Sequence, residues 1–163
     1  MGEVDQLARA LDIVASRCPR GLAAIVGDAP QPSDAEIVAA ATWRPAAEGE
    51  EARRMSSTEG PVPSLAEKVI AVTEPIERVG WKNIRAAGSE VRKLFPQDWE
   101  AYRLHVTYIG APIQWRMEEQ TTLEKIAKHC RMDSRTVQRR RRQVPYQIAR
   151  AALFGVQRSL DLS

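Results

Sequence analysis

The side chains best equipped for chemistry lie between residues 121 and 144, TTLEKIAKHCRMDSRTVQRRRRQV, a stretch containing the arginine run Arg139 to Arg142. The chemistry on offer is recognition of a polyanion. A guanidinium can donate two parallel hydrogen bonds to the acceptor edge of guanine, and a glutamine amide can bond adenine in the same bidentate way. On a helix, residues three and four positions apart share a face. Arg135, Gln138, Arg139 and Arg142 therefore form one face, and with Ser134 at the helix start they are the candidate base-reading set. Arg140 and Arg141, together with Lys125 and Lys128, are better placed to meet phosphates, which hold a protein in register without reporting sequence. The hydroxyls of Thr121, Thr122 and Thr136 complete that phosphate set.

Two helices and a turn must hold these groups. Thr121 and Glu124 have the spacing of a capping box, in which hydroxyl and carboxylate each satisfy a free N–H of the first turn. Leu123, Ile126, Ala127 and Cys130 then recur at helical intervals and make one apolar face. The small Ala127 suits a steep crossing of two helices. Arg131 falls where the chain has to turn left-handed, a conformation that costs any residue with a Cβ more than it costs glycine. Met132 supplies an apolar plug, and Asp133 or Ser134 can cap the second helix. Val137 and Val144 are expected to point back to the core.

The run Thr122, Leu123, Ile126 and Ala127, then the plug Met132, the polar cap Asp133, and Thr136, Val137 and Arg139, resembles the helix-turn-helix proteins of bacteria and phages. The layout is similar to region 4 of the sigma factors and to small phage-encoded regulators built on it. The segment Trp99 to Gly110, WEAYRLHVTYIG, is comparable to a helix that often precedes the motif in those proteins. The resemblance covers the chain from Trp99 onward. It implies a second helix seated in the major groove of DNA, with Ser134, Arg135, Gln138 and Arg139 as groove residues. The chain departs from the pattern at Arg131, at the longer link of residues 111–120, and at Pro145 after the second helix.

Charge is concentrated in the same place. The whole chain carries +3, yet residues 121–144 hold eight Lys or Arg against Glu124 and Asp133, a net +6. The remaining residues hold 16 basic and 19 acidic groups, a net −3. A local cationic patch is more specific than a high isoelectric point. Catalysis finds no comparable support. His105 and His129 are far apart, and His129 beside Cys130 lacks further ligands at metal spacing. There is no Gly-rich phosphate loop and no nucleophile with a recognisable base partner. Asp98 and Glu100 read as charges that complement a helix dipole. No catalytic residue, metal or cofactor is expected.

The expected function is that of a sequence-specific DNA-binding regulator, transcription-related and of the kind carried by phages and prophages. One motif reads few base pairs, so a homodimer on two half-sites is expected, with RNA polymerase or another protein as a further partner. Two other readings fit the same residues: a viral DNA-packaging recognition subunit, and a helical adaptor whose arginines meet an acidic protein. No apolar run is long enough to span a bilayer, and the acidic, amphipathic start MGEVDQLARALDIV is unlike a signal peptide. Cys18 and Cys130, the only two cysteines, fit a reducing compartment as unpaired thiols. The expected location is cytoplasmic.

Apolar spacing is helical nearly everywhere, so the fold class is an all-α bundle. Three parts are expected: an N-terminal helical segment over 1–43, a polar linker over 44–62, and a helical domain over 63–163 that contains the motif. In the first part, Val4, Leu7, Ala8 and Leu11 make a stripe that ends before Pro19, and Ser33 with Glu36 opens a helix to about Trp43. These helices are free to pack as a hairpin, dock on the C-terminal part, or pair between two chains. Ser64 with Glu67 opens the next helix, with Leu65, Val69, Ile70 and Val72 available for the core. Pro75 is expected to start a new segment. Trp81, Ile84, Val91 and Leu94 follow, with Gly88 as a weak point. Pro96 begins a helix that carries Trp99, Tyr102 and Val106 on one face. A last helix is expected to start at Pro145, with Ile148, Ala151, Ala152, Val156 and Leu160 as core or dimer surface.

Overall fold

The helix ends follow local signals. At one N-terminus the Ser33 hydroxyl accepts from the Glu36 N–H at 3.2 Å while the Glu36 carboxylate accepts from the Ser33 N–H at 3.0 Å, a complete capping box. Such a cap contributes about 1 kcal/mol. At another, the Ser64 hydroxyl accepts from the Glu67 N–H at 3.1 Å. The computed structural model describes residues 2–43, 63–108 and 119–155, and these are all-helical, with no strand among them. In chain order the helices are α1 (Glu3–Arg17), α2 (Gly21–Ile25), α3 (Asp34–Thr42), α4 (Leu65–Val79), α5 (Trp81–Leu94), α6 (Pro96–Tyr108), α7 (Glu119–Cys130) and α8 (Ser134–Phe154). The expected linker, most of the link before α7, and Val156 and Leu160 lie outside the described residues.

Neither Pro75 nor Pro145 begins a helix. Each sits inside a continuous one, α4 or α8. An interior proline removes a backbone hydrogen bond and crowds the carbonyl four residues back, at a cost of about 3 kcal/mol. Both rings are buried beside apolar neighbours, Val72 and Ile76 in α4 and Val144 and Ile148 in α8. Burial of those flanking faces offsets the loss and keeps each helix whole. Leu65 and Ile70, expected to be available for the core, are instead 62% and 51% exposed, because α4 turns the Val72–Pro75–Ile76 face inward.

The main core joins both ends of the chain. Leu7, Leu11 and Val14 of α1 and Ile37 of α3 pack in one cluster with Val72 and Ile76 of α4, Ile84 and Val91 of α5, Trp99 and Tyr102 of α6, and Val144 and Ile148 of α8. Of the three arrangements open to residues 1–43, docking on the C-terminal part is the one adopted. α1 lies against α8 and α4, and the short α2 lies against α5. At that contact a Cβ on Gly88 would stand 2.3 Å from the Ile25 carbonyl oxygen. Gly88 is therefore a point of close approach between helices, not a weakness in α5.

A second, smaller cluster belongs to α6, α7 and α8. It contains Ala101 and Leu104, then Leu123, Ile126 and Ala127, then Val137, with Cys130 and Met132 packed against it. α6 thus serves two cores, Trp99 and Tyr102 facing one and Ala101 and Leu104 the other. α7 starts at Glu119, before the expected cap, so Thr121 is an interior helical residue. The side chains of Thr121 and Thr122 lie outside the described residues.

Ala127 is 5% exposed and packed among residues of three helices. We expect Ala127→Leu to overpack this crossing and to cost about 1–3 kcal/mol, seen as a lower melting temperature. An unchanged melting temperature would place Ala127 away from the helix crossing.

Candidate nucleic-acid interface

The turn between α7 and α8 is closed by its own backbone. Arg131 has φ 56°, in the left-handed region. The Arg131 N–H donates to the Lys128 carbonyl at 3.3 Å and the Met132 N–H to the Ala127 carbonyl at 3.0 Å, the bonding pattern of a Schellman C-cap. A residue with a Cβ adopts this conformation at a cost of about 1–2 kcal/mol, and the packing of Met132 against the second cluster opposes that cost. Asp133 caps α8: its carboxylate accepts from the Thr136 N–H at 2.7 Å. Of the two capping candidates, Asp133 takes the role. Its carboxyl is held below the usual 3.8 first by the Thr136 N–H bond, then by a bond from the Thr136 side chain, with the Arg139 charge adding to the effect.

The arginine run divides according to the rotation of the helix. Arg139 and Arg142 are exposed. Arg140 turns toward α6, where it donates to Gln97 Oε1 at 2.5 Å and meets Asp98 Oδ1 at 3.4 Å. Asp98, only 8% exposed, also accepts from Gln147 Nε2 at 2.9 Å. Arg141 has no exposed surface, and its Nη1 lies 2.5 Å from His105 Nδ1. The expectation that Arg141 faces phosphates is therefore corrected. It sits four residues after Val137 and three before Val144, on the inward face with both.

That contact fixes the state of the histidine. Arginine donates and never accepts, so Nδ1 is the acceptor and the His105 ring carries its proton on Nε2. The same ring stacks on Tyr102, with centroids 6.3 Å apart. The Tyr102 hydroxyl donates to Asp12 Oδ1 at 2.6 Å and ties α6 to α1. Burial, and then the Asp12 charge, hold the Tyr102 phenol well above its usual 10.

The outward face of α8 is different in kind. Arg135, Gln138, Arg139 and Arg142 line an open groove of about 540 Å³, joined by Gln143, Tyr146 and Arg150. Among the described residues, none of Arg135, Arg139, Arg142 and Arg150 forms an ion pair with a carboxylate. The acidic Glu100 on α6 is engaged elsewhere, accepting from Arg103 at 2.9 and 2.6 Å. Ser134, Thr136 and Gln138 are half-buried, while Lys125 and Lys128 are exposed on α7. Gln143, Tyr146 and Arg150 escaped the sequence reading. Their signal was the unbroken three- and four-residue spacing through 139, 142, 143, 146 and 150, concealed by the expectation of a break at Pro145.

No family model, no curated protein and no solved structure matches the chain. The geometry stands by itself. It offers a cationic, donor-rich helical face suited to binding an anion. Among the described residues, no cluster of His, Cys, Asp and Glu is gathered closely enough to hold a metal. No described helix is long and apolar enough to cross a membrane. Burial, and then the Glu36 charge, push the Cys18 thiol up to about 11, and burial likewise raises Cys130, so neither is poised as a nucleophile.

Replacement of His105 by Leu removes an acceptor from a buried guanidinium. We expect a loss of about 1–3 kcal/mol in chemical denaturation; equal stability would mean that Arg141 is satisfied without the ring. Asp133 gives a pH effect of known sign. Its folded pKa lies below the unfolded 3.8, so its contribution is present above 3.8 and is lost as pH falls through the lower folded value. Asp133→Asn keeps a capping oxygen but does not titrate there, so its melting temperature should fall less steeply on acidification than that of the parent protein. Parallel acid branches would assign the loss to other groups.

Proposed function

We propose that the protein is a sequence-specific DNA-binding regulator, transcription-related, that seats the first turns of α8 in the major groove of duplex DNA. The observation that carries this reading is the exposed guanidinium face of α8, which has no partnering carboxylate among the described residues and is braced from behind by two apolar clusters. Ser134, Arg135, Gln138, Arg139 and Arg142 are the base-reading set. Lys125, Lys128 and Thr136 supply phosphate contacts, and Arg140 contributes only what its bonds to Gln97 and Asp98 leave free. Arg141 has a structural role and is removed from the interface. A turn closed by a left-handed residue and followed by a capped helix supports the helix-turn-helix resemblance, including the likeness to sigma factor region 4 and small phage regulators. One α8 reads few base pairs, so the functional form on DNA is a homodimer with two half-sites. RNA polymerase is the further partner that this likeness suggests, and the cytoplasm is the compartment that fits DNA binding.

Selection of bound sequences from a random duplex pool should return a short common site. Arg139→Ala should then weaken that site by about 1–3 kcal/mol while weakening random duplex far less. Equal losses on both would move Arg139 to the phosphate class. A protein that enriches no sequence and binds duplex no better at low salt would end the proposal.

A further inference from the structure

The groove on α8 continues beyond the residues that a major groove can hold. Arg135 to Arg142 spans roughly 10 Å along the axis at 1.5 Å per residue, about two turns of helix. Arg150 lies roughly 12 Å further along the same helix, with Tyr146 between them, both lining the same groove. A single helix of this length cannot follow a groove that winds around a duplex, so its far end leaves the bases and passes over the bounding strand. Arg150 is half-buried and free of any ion pair among the described residues. Tyr146 packs against the main core, which fixes the position of its ring. A guanidinium beside an anchored phenol is a donor pair that matches phosphate oxygens and reads no base.

We infer that Tyr146 and Arg150 form a phosphate-backbone subsite, separate from the base-reading turns, that grips the strand flanking the major groove. The inference rests on the DNA-binding reading of α8. It also gives a purpose to the continuity of the helix through Pro145: a break there would uncouple the subsite from the turns that read bases. Because one continuous helix carries both, the phosphate contact sets how deep and at what angle the base-reading side chains enter.

The test is a salt titration of the whole 163-residue chain and its variants on two probes, the selected site and a random-sequence duplex. For Arg150→Ala, the slope of log K against log salt concentration should fall by about 1 on both probes. The ratio of the two affinities should stay within about twofold, because a phosphate contact is shared by all sequences. Arg150→Lys should restore the slope, and circular dichroism should show unchanged helix content in both variants. An unaltered slope for Arg150→Ala, in a protein whose Arg139→Ala variant still loses its preferred site, would overturn the subsite and leave the DNA-binding reading intact. A changed affinity ratio would also overturn it, by making Arg150 a base contact. Failure of the parent protein to bind either probe would remove both readings together.

Discussion

Arg141 is a charged side chain with no exposed surface, and the placement of α8 depends on how the protein accommodates it. A buried guanidinium has five N–H donors to satisfy and no acceptor of its own. His105 Nδ1 supplies one acceptor, from a helix separated by 36 positions in the chain. Beside it, Asp98 gathers Arg140 and Gln147, and Tyr102 reaches Asp12. These polar contacts are directional, whereas the apolar clusters around them tolerate small rotations. A turn of α8 about its axis by one residue would bring Arg140 or Arg142 to His105 and carry Arg141 toward water. The buried polar contacts therefore set the rotational phase of α8, and the phase decides which arginines face outward.

The same logic explains why one helix belongs to two cores. Val137 closes the small cluster with α6 and α7, while Val144 and Ile148 close the large one with α1 and α5. A helix broken at Pro145 would leave the small unit hinged on the large one. As built, α8 is continuous through Pro145, with Val144 and Ile148 buried on either side of it, so the exposed stripe and the main core share one helix. The N-terminal helices take part, since α1 packs directly on α8 and holds Tyr102 through Asp12.

Much of this was legible in the sequence wherever short-range chemistry decides the outcome. The apolar period Leu123, Ile126, Ala127, the left-handed position of Arg131, the Met132 plug and the Asp133 cap are each dictated by neighbours within a few residues. The helices of residues 1–43 were legible too, apart from α2, whose five residues are too few to display a period. What could not be read was long-range. Whether α1 docks or pairs depends on partners far along the chain. The two prolines looked like breaks because the lost hydrogen bond is local and visible, while the packing that outweighs it is tertiary. Arg141 did leave a trace, since Val137 and Val144 had been placed inward and Arg141 lies between them on that face. Its charge argued for water, and that preference is reversed by tertiary contacts such as the one with His105, which comes from another helix.

Counting cations along the chain consequently misjudges the field that a ligand meets. The net +6 of residues 121–144 includes Arg141, whose charge is enclosed, and Arg140, whose charge is shared with Asp98. It omits Arg150, which lies past the segment but on the exposed stripe. The outward field is thus narrower around the axis of α8 and longer along it than the arginine run suggests. A diffuse basic patch would serve any polyanion, through screened attraction that fades within a Debye length. A stripe carried by a helix whose rotation is set by buried contacts at Arg140 and Arg141 offers donors at fixed intervals, and fixed intervals are what bidentate recognition of a regular polymer requires.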